Sequence, residues 1–136
     1  FYGDVTQWTK DRTYEGIGRW NSATSRLRMI ETSWYNNYIR ENNNLSVRGQ
    51  YQCFYFSGQH CLRWEMSFNR IMMQTDEANG SPRWRTISTF AHEIGHMIGL
   101  DHITSNTANL MFVPWTQRTV SFPGSGDMRG FNTIWP

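Results

Sequence analysis

Residues 92–102 read HEIGHMIGLDH and hold three of the four histidines in the chain. The surrounding stretch, ISTFAHEIGHMIGL, is otherwise mostly apolar, so the imidazoles need a chemical reason. His92 and His96 are four residues apart. On a helix their side chains lie one above the other on the same face, close enough to share one ion. Gly99 tolerates the left-handed turn that often ends a helix and lets the chain turn back. His102 can then approach the same point from another direction. Three imidazoles leave one position of a tetrahedral zinc open, which is the arrangement of a catalytic rather than a structural ion. Glu93 points past the ion, where its carboxylate can hydrogen-bond a metal-held water, take its proton and pass it to a leaving group. These residue types at this spacing imply metal-assisted hydrolysis. Asp101 is a rival for the third ligand. Helix and turn geometry favour His102 and leave Asp101 to orient a loop or ligand by a hydrogen bond.

The elements that must position these groups can be read from periodicity. Ser81 as cap and Pro82 as first helical residue start a helix. Ile87, Phe90, Ile94, Met97 and Ile98 then fall on one face, and Gly99 ends it. Residues 11–24 place Tyr14, Ile17, Trp20 and Thr24 about one turn apart, which predicts an amphipathic helix. RLRMIETS (26–33) and RIMMQT (70–75) read as strands. LSVRGQYQCFYF (45–56) and HCLRWEMSF (60–68) read as the arms of a hairpin turning at Ser57-Gly58. In SGDMRGFNTIW (125–135), Ser125 is a cap and Asp127 sits in the first turn, where a carboxylate suits the helix dipole. Met128, Phe131 and Trp135 give that helix an apolar stripe. The order helix, strands, helix, long loop, helix predicts one α+β domain over residues 1–136.

Composition narrows the function. The 136 residues are 38% hydrophobic and 15% aromatic, enough to fill one core and to argue against disorder. A net charge of +2 argues against nucleic acid as a partner. No apolar run is long enough to span a membrane. The opening FYGDVTQW has neither the basic nor the apolar region of a secretory leader. Lys10 is the only lysine; the other basic residues are arginines scattered along the chain, so no phosphate-binding cluster is expected. Cys53 and Cys61 flank the hairpin turn. They read as a disulfide stapling it, and hence as a sign of an oxidising, extracellular setting. The rival reading, a metal site of Cys53, Cys61 and His60, does not match zinc spacings. The default assembly is a monomer.

HEIGHMIGLDH also fits H-E-x-x-H-x-x-G-x-x-H, and so resembles the zinc signature of the metzincins. Residues 108–112, ANLMF, resemble the Met-turn of that family, and DMRGFNTIW resembles the last helix of its matrixin branch. GRWNSAT is similar to the first helix of matrixins and snapalysins. The resemblance spans about residues 70–135, half of the chain. It implies a twisted mixed β-sheet with three helices, a substrate cleft across the zinc, and a secreted zinc endopeptidase made as a zymogen. It implies His92, His96 and His102 as zinc ligands, Glu93 as the base and Met111 as the Met-turn residue. The chain also departs from the pattern. Snapalysins carry an aspartate where His102 stands. No tyrosine follows the Met-turn, as it does in astacins and serralysins. Only His60 remains for the second zinc of matrixins, so that site should be absent. Asp76-Glu77 is the only acidic pair before the active helix and the one candidate for calcium (Ca2+). Gly126 replaces the first of two aspartates, which puts the usual tie of Asp127's helix to the N-terminus in doubt. The segment FVPWTQR after the Met-turn would line the pocket beyond the cut bond. Phe112 or Trp115 as its wall predicts a hydrophobic or aromatic side chain there in a protein or peptide substrate. Two other readings compete with the enzyme. One is a zinc-binding interaction module without turnover, which would not need Glu93. The other is a structural or carbohydrate-binding domain using its seven tryptophans.

Overall fold

This computed structural model describes residues 1, 3–26, 37–58 and 60–136. The strand expected over 26–33 falls, apart from Arg26, outside the described residues. Helix α1 (Gln7–Ala23) begins earlier than the expected residue 11, because Thr6 caps it by accepting the N–H of Thr9 at 3.4 Å. Its buried face carries Thr9, Thr13, Gly16 and Trp20, whereas Tyr14 is exposed. Small residues let α1 lie close to its neighbour. The Thr13 hydroxyl is satisfied by the Thr9 carbonyl at 2.8 Å.

Strands β1 (Tyr38–Glu41), β2 (Gly49–Ser57) and β3 (His60–Phe68) form a mixed sheet in the order β1-β3-β2. β3 runs parallel to β1, with Ile39 opposite Met66, and antiparallel to β2, with Gln50 opposite Ser67. The hairpin matches its expected arms except that its first strand starts at Gly49 rather than Leu45. Cys53 and Cys61 are joined by a disulfide, their Cα atoms 6.0 Å apart.

Helix α2 (Arg70–Ala78) corrects the strand expected over 70–75. Asn69 caps it by accepting the N–H of Met72 at 2.9 Å, and Arg70 donates to Gln74 one turn on at 2.6 Å. Only Met73 is buried, so the apolar run Ile71-Met72-Met73 is one helical stripe and its exposed flank, not a buried strand. Helix α3 (Arg83–Met97) starts one residue later than expected. Pro82 is its cap residue, and the Ser81 N–H goes to the Asp76 carbonyl at 2.9 Å. Helix α4 (Ser125–Ile134) follows a long loop that holds a single 3-10 turn at Trp115–Gln117, and Gly124 rather than Ser125 is its cap residue. The architecture is α+β, with four helices among the described residues instead of three; α2 is the addition.

The core gathers Trp20 from α1, Met66 and Phe68 from β3, Phe90 and Ile94 from α3, Leu110 and Met111 from the loop, and Phe131 from α4. Phe68 and Phe90 stack with ring centroids 3.9 Å apart. Each such buried ring contributes about 2–3 kcal/mol of transfer free energy. Trp20 also donates its indole N–H to the Ala91 carbonyl at 2.8 Å, which fixes α1 against the turn of α3 that bears His92. No helix is long and apolar enough to cross a membrane among the described residues.

Candidate metal centre

The end of α3 brings its third histidine round. Gly99 has φ +98°, in the left-handed region. Its N–H reaches the His96 carbonyl at 3.0 Å, and the Leu100 N–H reaches the Gly95 carbonyl at 3.0 Å. This pair of bonds closes the last turn and reverses the chain. His102 then faces His96, with their Nε2 atoms 3.0 Å apart. The ring centroids of His92 and His102 are 5.1 Å apart. One ring nitrogen from each of His92, His96 and His102 lies within 4.8 Å of the others, and together they could hold a metal ion. Tetrahedral bonds of the usual zinc–nitrogen length place ligands about 3.3 Å apart, so small side-chain shifts would accommodate the ion.

Which nitrogens are free follows from the carbonyls behind the rings. His92 Nδ1 lies 2.9 Å from the Leu110 oxygen, and His96 Nδ1 lies 2.7 Å from the Leu100 oxygen. A carbonyl only accepts, so the His96 Nδ1 carries a proton and its Nε2 offers a lone pair to the centre; His92 Nδ1 lies between the Leu110 acceptor and the Arg118 Nη2 donor, so a proton there satisfies the first and not the second. Burial, and then the Arg118 charge, push His92 down to about 2, and burial also lowers His96. Both imidazoles are therefore neutral, the state that binds metal.

Met111 is 0% exposed and packs against Gly95, between His92 and His96 on α3. It sits so close under α3 that a β-carbon added at Gly95 would overlap its Sδ. The turn bearing it is held by Asp127 of α4. This fully buried carboxylate accepts the N–H groups of Leu110 at 2.6 Å, Met111 at 3.0 Å and Gly124 at 2.6 Å. Asp127 thus ties α4 to the loop under the histidines.

Glu93 is buried beside His92, and burial raises its carboxyl to about 7, against the opposing pull of Arg118 and a hydrogen bond from the Tyr51 backbone. A dication nearby would pull it back down. Arg118 enters the centre without having been singled out in the sequence. It reaches the Phe112 carbonyl at 3.2 Å, the Ser88 carbonyl at 3.1 Å and His92 Nδ1 at 2.9 Å. Burial lowers its pKa to about 10, opposed by Glu93 and Asp127, so it stays cationic at neutral pH. Nothing local marks Arg118 among the chain's twelve arginines. Its place depends on contacts 26–30 residues away in the chain.

A cleft of about 270 Å³ opens beside the histidines, lined among others by Arg48, Thr89, Glu93, His102, Trp115 and Arg118. Trp115 lies in its wall. Phe112 is 5% exposed and turned into the interior, bridging to Ile103. Asp101 is exposed and lies outside the group of converging ligands. Asp76 and Glu77 lie on α2 facing arginines: Asp76 meets Arg48 at 2.6 Å and Glu77 meets Arg12 at 4.0 Å. His60 lies against Trp135, ring centroids 4.5 Å apart, and takes no part in the centre. No protein-family model matches the chain, and no curated protein is similar enough to it to stand as a relative.

Proposed function

We propose that this chain is a secreted, zinc-dependent endopeptidase of metzincin type, with His92, His96 and His102 as zinc ligands and Glu93 as the general base. The observation that carries this reading is the convergence of three imidazoles beside one buried carboxyl. Zinc held by three imidazoles acidifies a bound water and polarises a carbonyl. The protein's own groups do the rest. Glu93 takes the proton of the attacking water at its carboxylate and returns it to the amine as the peptide C–N bond breaks, so no covalent intermediate is needed. The Leu110 and Leu100 carbonyls lock the imidazole orientations. Met111, packed on Gly95, backs the turn of α3 that carries His92 and His96. β2 pairs only with β3 among the described residues, and its Tyr51 backbone N–H is taken by Glu93, so β2 lies beside the proposed base. Secretion is supported by the disulfide, a bond that persists in oxidising compartments.

The test combines metal analysis with casein hydrolysis, with and without a zinc chelator, on the native chain and on Glu93→Gln. The expected result is one zinc per chain, cleavage lost with chelator and restored by zinc, and a variant that binds zinc but does not cut. Zinc bound without cleavage would favour an interaction module. Cleavage by metal-free protein would end the proposal.

A further inference from the structure

Val47, Val113 and Trp115 give the cleft beside the histidines an apolar lining, and Trp115 is its one aromatic ring. Two contacts from α3 hold that ring at its edge. The indole N–H goes to the Thr89 hydroxyl at 3.0 Å, which in turn donates to the Arg85 carbonyl at 3.3 Å. Arg85 also donates from Nη1 to the Thr116 carbonyl at 3.1 Å, so the turn bearing Trp115 is pinned to α3. An edge bond leaves a ring free to tilt about it. The face of the ring is covered by Arg48, whose guanidinium lies 3.9 Å from the centroid; Arg85 stands farther off, at 5.4 Å.

Arg48 is itself fixed. Asp76 of α2 takes its Nε at 2.6 Å and its Nη2 at 3.1 Å, a two-bond fork that sets the plane of the guanidinium as well as its position. The Arg48 carbonyl accepts the Asn69 N–H at 2.9 Å. The next residue, Gly49, runs so close to the site that a β-carbon there would lie 3.0 Å from Glu93 Cγ and 3.1 Å from Thr89 Cγ2. Helix α2, which the sequence did not announce, thus reaches the cleft through one arginine beside the proposed base.

We infer that Arg48 is a positioning residue: paired with Asp76, it holds the Trp115 indole in one plane as a wall of the cleft, and that wall binds an apolar side chain, such as leucine, beside the cut bond. This inference rests on the endopeptidase reading. A wall ordered in advance gives its apolar contact without the cost of ordering the ring when a peptide arrives. The contact is the same before and during bond cleavage, so its loss belongs in KM rather than kcat.

The first arm of the test needs neither metal nor catalysis. The purified chain carries 5-fluorotryptophan, and the Trp115 fluorine signal is assigned with Trp115→Phe. That signal should be shifted by its neighbours in the native protein, and should move toward the free-solvent position in both Arg48→Gln and Asp76→Asn. A signal unmoved in both variants, or already at the free-solvent position in the native protein, would overturn the inference. The second arm compares zinc-loaded native protein and Arg48→Gln on matched peptides with Leu or Ala beside the cut bond. KM for the Leu peptide should rise about fivefold or more with little change in kcat, and the preference for Leu over Ala should shrink with it. Arg48→Lys, which keeps the charge and loses the planar fork, should not restore either. Should Arg48→Gln fail to fold, Asp76→Asn carries both arms. An undiminished preference for Leu, or a loss confined to kcat, would overturn the inference while leaving the endopeptidase standing. If the native protein cuts nothing, the endopeptidase reading falls, and the fluorine signal alone decides whether Arg48 holds the ring.

Discussion

The candidate metal centre and the tip of the β2–β3 hairpin are stabilised in opposite ways. Under the histidines, Met111 and Asp127 are fully buried, and each polar group named there has a fixed partner. At the hairpin tip, Phe54, Tyr55, Phe56 and Leu62 all face outward, and the local cross-link is the Cys53–Cys61 bridge. One region depends on packing and buried hydrogen bonds, the other on covalent bonding and strand pairing. A small chain can have both because only the first must hold atoms to within a fraction of an ångström.

Substitutions should separate the two regions in order of size. Asp127→Ala removes the acceptor of three N–H groups, two of them buried with the carboxylate, and should cost about 3–5 kcal/mol, read as a fall in urea midpoint. Gly95→Ala forces Met111 aside and should cost about 2–3 kcal/mol of overpacking. It should also weaken zinc binding, measured by competition with a chromophoric chelator; unchanged affinity would mean Met111 does not brace the centre. Replacing both cysteines by serine opens a short loop and should cost about 2 kcal/mol in thermal melting. Zinc affinity should stay the same, and a parallel loss of zinc would erase the distinction between the regions. Phe56→Ser at the tip should change stability by less than about 0.5 kcal/mol.

A pH titration probes a third place. Burial raises the Glu41 pKa, but hydrogen bonds from Thr6, Thr9 and Arg70 outweigh it and leave the group below its usual value. A folded pKa below the unfolded one means that the ionised carboxylate stabilises. This contribution is complete above the unfolded value of 4.5 and is lost as pH falls through the lower folded value. Between pH 6 and 3, roughly the range around a carboxylate's titration, Glu41→Gln should therefore lose less stability than the native chain. Parallel pH curves would refute the assignment.

What was legible in the sequence follows the same division. α3 and its histidines could be read because helix spacing and residue type both act within one element. Gly99 announced the reversal that brings His102 back. α2 was misread because six residues with Ile and Thr fit either period; the missed signal was Asn69, three residues before the N–H it caps. α1 was read with a face that holds at Trp20 and Ile17 but not at Tyr14, which is exposed, and that left out the small residues beside them. Thr9, Thr13 and Gly16 are small enough to be buried at a helix contact, and a search for large apolar residues passes over them. Arg118 and the full role of Asp127 were beyond reach. Each acts in part through partners 16–30 residues away, and only the fold brings those together.

Asp127 also has a consequence for how the molecule comes into being. The turn under the histidines lacks its clasp until α4 has been synthesised and docked. While the nascent chain is still on the ribosome, every ligand can already have emerged and the centre will still be slack. A chain ended by a stop codon before residue 125 should fold its sheet yet hold a metal ion loosely.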